Sequence, residues 1–341
     1  MGLTRQSLAA IESGGAVPST EVALRLARAF GVTVESLFQL EDEPSPSCVV
    51  EPAEARVPPS GRVRIARVAG RRRAYGVTLV DAAGSPAADG VVAERLSDGR
   101  LRVRQLSEGP QPPDLVVAGC DPAFGLVRAL LQREHAIEVL WLRMGSEAAL
   151  DALARGVAHV AGVHLEDAAS GTYNGPWIER MVPFPATRIA FATWQQAVLL
   201  ERGNPLGVAG LDDLARPDLR FLNREPGSGS RALMERALAE HGIDASAIPG
   251  FLETRADGHE TVARTIASGA AQAGVAIRAV GHALDLAMLP LAEEPYDLVV
   301  PDHFLELPAI EALLAALRRP ALREQVEALT GYDAAHMGKP V

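Results

Sequence analysis

The sequence predicts an α/β protein with an all-helical start and a small β-rich stretch ahead of the α/β part. Three observations predict it. From Asp114 onward, short apolar runs alternate with helix-period segments, the pattern of parallel βαβ units. Residues 5–38 read as three short helices with capping Ser and Thr residues and glycine breaks. Between the two, residues 61–106 contain runs that alternate apolar residues with arginines at period two, a strand signature.

The totals agree with this division. A chain of 341 residues is long for one core, and 48% apolar with 22% charged residues is ordinary for a globular protein. The net charge of −10 argues against a chain that coats nucleic acid over its whole surface, while leaving room for a local basic face. Cys48 and Cys120 are too few for a disulfide scaffold or a cysteine metal cluster. No apolar run is long enough to span a membrane, and the start lacks the charged and apolar regions of a secretory signal, so a cytoplasmic location is expected.

Thr4 caps a helix over 5–12, Ser13-Gly-Gly15 stops it, and Pro18-Ser-Thr20 opens a second helix over 21–30 that Gly31 ends. The phrases G-L-T-R-Q-S-L-A-A-I-E-S-G and P-S-T-E-V-A-L-R-L-A-R-A-F-G-V-T-V-E-S-L-F resemble the Cro/C1-type (XRE family) helix-turn-helix. The resemblance implies that Thr4, Arg5, Gln6 and Ser7 lie at the N-terminal end of the recognition helix, where base edges and phosphates are met. Arg5 and Gln6 carry suitable chemistry, a guanidinium fork for guanine and an amide for adenine. The resembled domain has two further helices ahead of this pattern, so residues 1–43 are expected to be a partial DNA-binding domain.

Residues 41–59, rich in Pro, Glu and Ser, read as an exposed linker. A strand pattern over 61–80 follows, with arginines at 56, 62, 64, 67, 71, 72 and 73; they suit a solvated strand face or a phosphate-contacting skirt. Strand-like runs over 90–94 and 101–106 complete a small β module, and Gln111-Pro-Pro113 closes it.

Strands over 115–118, 137–142 and 157–165 then alternate with helices over 122–133 and 146–155. In parallel sheets ligands lie beyond the carboxyl ends of strands, here Gly119-Cys-Asp121, Met144-Gly-Ser146 and Val163-His-Leu165. Residues 187–200 are suited to crossing between lobes. An apolar run over 219–222 enters Asn223-Arg-Glu-Pro-Gly-Ser-Gly-Ser-Arg231, which feeds a helix over 232–241. Glycines there let backbone amides converge, and the serines either cap the helix or donate to a guest anion. Residues 251–253 read as a strand, 260–268 as a helix and 272–277 as a strand, with a return strand and helices over 284–333.

The phrases V-V-A-G-C-D-P, L-R-M-G-S, V-A-G-V-H-L, G-L-D-D-L-A-R-P-D-L-R-F-L-N-R-E-P-G-S-G-S-R, A-Q-A-G-V-A-I-R and the late G-Y-D resemble the periplasmic-binding-protein superfamily, in the branch related to molybdate- and tungstate-binding proteins. The resemblance implies a two-lobed (type II-like) domain over 114–341, with lobe 1 at 114–197 and 279–341 and lobe 2 at 198–278. It also implies hinges near 187–198 and 278–284. Ahead of it stand the partial helix-turn-helix at 1–43 and the linker and β module at 44–113. Together the parts look like a one-component transcriptional regulator that senses a small ligand, an oxyanion such as molybdate or tungstate or else an organic effector. A stand-alone binding protein is the alternative.

The candidate ligand-binding residues are Asp121, Ser146, His164, Asn223, Arg224, Ser228, Gly229, Ser230, Arg231, Glu260 and Arg278. Asp121 repels an anion, so it either caps its helix or sets specificity for a ligand with donors. Tyr296 aligns loosely with a tyrosine of the anion-binding relatives. The serines lack a G-x-S-x-G elbow, the histidines lack metal-ligand spacing, and no Lys follows the Gly/Ser turn. Neither catalysis nor a cofactor or resident metal is therefore expected. The expected partners are DNA, the ligand and a second copy of the chain, because operators of such regulators are pseudo-palindromic.

Overall fold

A computed structural model of the chain describes residues 4–38, 46–54, 57, 60–77, 87–106, 113–253 and 255–341. The expectations for residues 1–3, 39–45, 55–56, 58–59, 78–80 and 111–112 lie outside the described residues.

The first helices form where side-chain caps dictate. α1 (Arg5–Glu12) starts on Thr4, α2 (Thr20–Phe30) on Ser19 and α3 (Val34–Leu37) on Thr33; each hydroxyl accepts from the amide three residues on. Gly31, left-handed at φ 70°, ends α2. Among the described residues α2 buries Ala23, Leu26 and Ala27, whereas Leu24 and Phe30 stay exposed.

β1 (Ser47–Pro52), β2 (Arg62–Val68), β3 (Arg71–Gly76), β4 (Gly90–Arg95) and β5 (Leu101–Gln105) close into a barrel in the order β1-β3-β2-β4-β5. Val50, Val63, Ile65, Val92, Leu101 and Val103 fill it. Two expectations are corrected here. β1 falls inside the stretch read as linker, because pairing with both β3 and β5 outweighs its Pro and Glu content. Residues 62–76 of the stretch read as one strand form a hairpin, turned by Ala69 and Gly70, both with positive φ as a two-residue hairpin turn requires.

The barrel packs on the α/β part. Tyr75 Oη donates to the Val157 carbonyl at 2.7 Å, and Arg73 Nη2 donates to the Arg155 carbonyl at 3.1 Å.

β6 (Leu115–Gly119), α4 (Phe124–His135), β7 (Val139–Arg143), α5 (Ser146–Ala154) and β8 (Val160–Val163) form consecutive parallel βαβ units, with β6 between β7 and β8. β9 (Glu166–Asp167), β10 (Thr172–Tyr173) and α6 (Gly175–Met181) lead to the long β11 (Ala186–Leu200). The second lobe follows: β12 (Phe221–Leu222), α7 (Gly229–Glu240), α8 (His259–Ala267), β13 (Ala273–Ile277) and α9 (Arg278–Ala283). β14 (Ala287–Pro301) returns, and α10 (Pro308–Leu317), α11 (Pro320–Glu327) and β15 (Tyr332–Asp333) finish the first lobe.

One sheet runs through both lobes in the order β12-β13-β11-β14-β8-β6-β7, with β15 on β11. β6, β8 and β13 are buried along their whole length, as central strands covered on both faces must be. β11 and β14 pair antiparallel from Ala186↔Pro301 to Leu200↔Ala287, and fifteen residues of strand reach about 50 Å, enough to serve both lobes. The second crossing is therefore β14, not the 278–284 segment, which is helical because its strand ends at Ile277. Residues 251–253, expected as strand, form a turn that buries Phe251 against Phe221. Each lobe has its own core, that of the second split between the two faces of β12 and β13. Among the described residues, no helix is long and apolar enough to cross a membrane.

Candidate ligand site

The site is built where the two jaws meet the crossing strands. Period-two spacing puts Trp194 and Gln196 on one face of β11, and Glu294 and Tyr296 on one face of β14, with Trp194 directly opposite Glu294. All four are buried.

The first jaw rests on them. Gly119 and Gly162 leave the space that Tyr296 occupies; a Cβ at either would lie 2.4 or 2.0 Å from its hydroxyl. That hydroxyl accepts from the Cys120 amide at 3.2 Å. Asp121 Oδ1 accepts from the Ala123 amide at 2.8 Å and from Tyr332 Oη at 2.5 Å, while its Oδ2 is buried without a partner. Ser146 Oγ accepts from the His164 amide at 3.1 Å, which ties the start of α5 to the end of β8. His164 Nδ1 lies 3.0 Å from Glu294 Oε2, and its Nε2 lies 3.5 Å from Cys120 Sγ.

On the second jaw, Ser228 caps α7 by accepting from the Arg231 amide. Gly229 lies so close to the first jaw that a Cβ would be 2.1 Å from the His164 carbonyl oxygen. Ser230 Oγ accepts from Gln196 Nε2 at 2.8 Å, and the same amide donates to Glu294 Oε2 at 2.9 Å, leaving Gln196 Oε1 without a partner. Fully buried Arg224 holds Glu225 through Nε and Nη2 and donates from Nη1 to His259 Nδ1 at 3.0 Å. The Ile277 amide also points at His259 Nδ1, at 3.3 Å.

Electrostatics follows from these contacts. Burial opposes a charge on His164, but the Cys120 sulfur and the Glu294 carboxylate outweigh it and hold its pKa at about 10, so the ring is charged at neutral pH. Burial, with the charges of Arg224 and His164, keeps His259 well below its usual value and neutral. Burial raises Asp121 to about 7 against the hydrogen bonds from Tyr332 and Ala123 and the charge of His164.

Cys120 Sγ and one ring nitrogen each of His164 and His259 lie within 4.8 Å of one another, a metal-like cluster. The proton inventory decides its use. Two donors face His259 Nδ1, and a guanidinium cannot accept, so Nδ1 is the acceptor and Nε2 carries the proton. His259 therefore offers an N–H where a metal needs a lone pair, and that Nε2 is buried without a partner, as is Trp194 Nε1. Two donors without acceptors in a buried cleft beside a charged imidazole fit an acceptor-rich guest.

The sequence-derived candidates separate into three groups. Asp121, Ser146, His164, Arg224, Ser228, Gly229 and Ser230 are brought together between the two jaws. Asn223 is buried behind it, donating to the Phe251 carbonyl and accepting from the Arg224 amide. Arg231, Glu260 and Arg278 lie outside the buried cluster: Arg231 pairs with Glu235, Glu260 with Arg143 of the other jaw at 2.6 Å, and Arg278 with Gln195. Thr4, Arg5, Gln6 and Ser7 are all exposed, with Thr4 spent on capping α1. Residues absent from the candidate set are Cys120, Trp194, Gln196, His259, Glu294, Tyr296 and Tyr332. Strand periodicity and the G-Y-D phrase were the available signals.

The PBP superfamily domain model matches residues 127–318, and a helix-turn-helix model matches residues 1–37. Uncharacterized protein YvgK of Bacillus subtilis (strain 168) is 30% identical over 246 residues, covering 70% of this chain and 76% of that protein. Uncharacterized HTH-type transcriptional regulator YgzD of the same organism is 49% identical over 43 residues, 13% of this chain and 65% of YgzD. A putative phosphate ABC transporter substrate-binding protein from Clostridium perfringens, with bound phosphate, superposes with a TM-score of 0.48 at 12% identity, covering 67% of this chain and 99% of that one.

Proposed function

The chain belongs to the PBP superfamily and carries a helix-turn-helix at its start, and from that premise we propose a DNA-binding transcriptional regulator whose two-lobed domain closes on a small oxyanion of the molybdate or tungstate kind. One observation carries the ligand class: the unpartnered N–H of buried His259, beside charged His164. Donors rather than full neutralisation are what a bound oxyanion needs. Glu294 and Glu225 already balance His164 and Arg224, so the cleft offers hydrogen bonds more than net charge.

The division of labour follows boundaries near residues 43 and 113, with DNA contact assigned to Arg5 and Gln6 at the exposed start of α1. Closure favours one relative placement of two helix-turn-helix units in a homodimer. The test is calorimetric titration of the full chain with molybdate, tungstate and sulfate. It is paired with a mobility shift on the duplex upstream of its own reading frame, with and without the bound anion. Binding of molybdate or tungstate, with a changed shift, is expected; no heat from any oxyanion removes the ligand class.

A small hydroxylated organic acid is the second reading. The unpartnered acceptors Gln196 Oε1 and Asp121 Oδ2 favour it, because hydroxyl protons would satisfy both.

A further inference from the structure

The two oxygens of Asp121 differ completely in surroundings. Oδ1 is saturated by the Ala123 amide and Tyr332 Oη. Oδ2 has no partner, although the residue is 0% exposed. The groups facing this carboxyl are the hydroxyl of Tyr332 on β15, the hydroxyl of Tyr296 on β14, the Cys120 thiol beside it and charged His164 at the end of β8. Tyr296 Oη accepts from the Cys120 amide, and the two nitrogens of His164 face Glu294 and Cys120. None of them reaches Oδ2.

A bare carboxylate oxygen and an oxyanion oxygen repel each other in a buried cleft, whereas a proton between them makes a strong hydrogen bond. Resting on the oxyanion reading above, we propose that Asp121 and the bound anion share one proton. A dianion that brings no proton is then taken up together with one proton from solvent, which comes to rest on Asp121 Oδ2 and donates to the ligand. The burial that raises the Asp121 pKa to about 7 poises this uptake in the neutral range. The sign is fixed: the binding form of Asp121 is the protonated one, so affinity for a proton-free dianion is highest below pH 7 and falls as pH rises through it.

Titration calorimetry of the full chain with sodium molybdate tests this, in two buffers of different protonation enthalpy. About one proton per site is expected to be taken up near pH 8 and almost none near pH 6, with affinity falling about tenfold over that interval. Asp121→Asn is isosteric; its oxygen still accepts from Tyr332 and Ala123, and its amide donates where the proton stood. It is expected to bind with no proton uptake and a flat pH profile. Tight binding by the natural chain without uptake near pH 8 overturns the inference, as does an Asp121→Asn variant that keeps the uptake. An affinity lowered equally at every pH also overturns it, since a merely structural role predicts that result. If neither molybdate nor tungstate binds at any pH, the oxyanion reading itself fails.

Discussion

On the first jaw, Asp121, Ser146 and His164 are tied by side-chain bonds to other elements of the fold: to β15, to β8, and to Glu294 of a crossing strand. On the second jaw, Ser228 spends its oxygen on its own helix, and His259 turns one nitrogen back to its own lobe and leaves the other N–H open. The first jaw thus presents groups held by other elements of the fold, and the second presents the neutral N–H of His259 at a helix start, with the charge of Arg224 matched by Glu225.

The contact that joins the jaws is also where the comparison breaks most easily. Gly229→Ala places a methyl 2.1 Å from the His164 carbonyl oxygen. Overpacking of this kind costs about 1–3 kcal/mol, so molybdate affinity is expected to fall about ten- to a hundredfold, measured calorimetrically. If the second jaw moves as a unit, the melting temperature of the ligand-free protein changes much less than that of the complex.

The charge on the first jaw gives the next effect. The folded pKa of His164, about 10, exceeds its unfolded value, so its contribution to stability is complete below about pH 6.5 and is lost as pH rises through 10. Glu294→Gln removes one group that holds the ring charged. Thermal melts across pH are expected to show the alkaline loss of stability beginning at lower pH in this variant. An unchanged profile would place the charge elsewhere.

The smallest effect belongs to the rim. Arg143 and Glu260 pair across the jaws at 2.6 Å, each side chain about a third exposed. Glu260→Ala is expected to change molybdate affinity by at most about 1 kcal/mol, and less at high salt. A larger loss would move Glu260 from the rim into the site.

Much of this was legible in the sequence. The capped helices at Thr4 and Ser19, the apolar runs of β6, β8 and β13, and the 223–231 turn each announce themselves by local pattern. The floor of the cleft did not. Glu294 matters because it faces Trp194 across a ladder, and Tyr332 because it reaches Asp121 from 211 positions away. No local periodicity encodes such pairings. The open N–H of His259 is subtler still, since it depends on a tautomer fixed by Arg224 and Ile277. β1 was hidden for the opposite reason, a linker-like composition overridden by barrel closure.

The bonds from Tyr75 and Arg73 to the carbonyls of Val157 and Arg155 have a mechanical meaning. α5 begins at Ser146 in the cleft and ends at Ala154, next to the carbonyls that the barrel grips. A nine-residue helix is a stiff rod about 13 Å long. The barrel is therefore bolted to one end of a strut whose other end is in the cleft, so the barrel and the start of α5 share one stiff element.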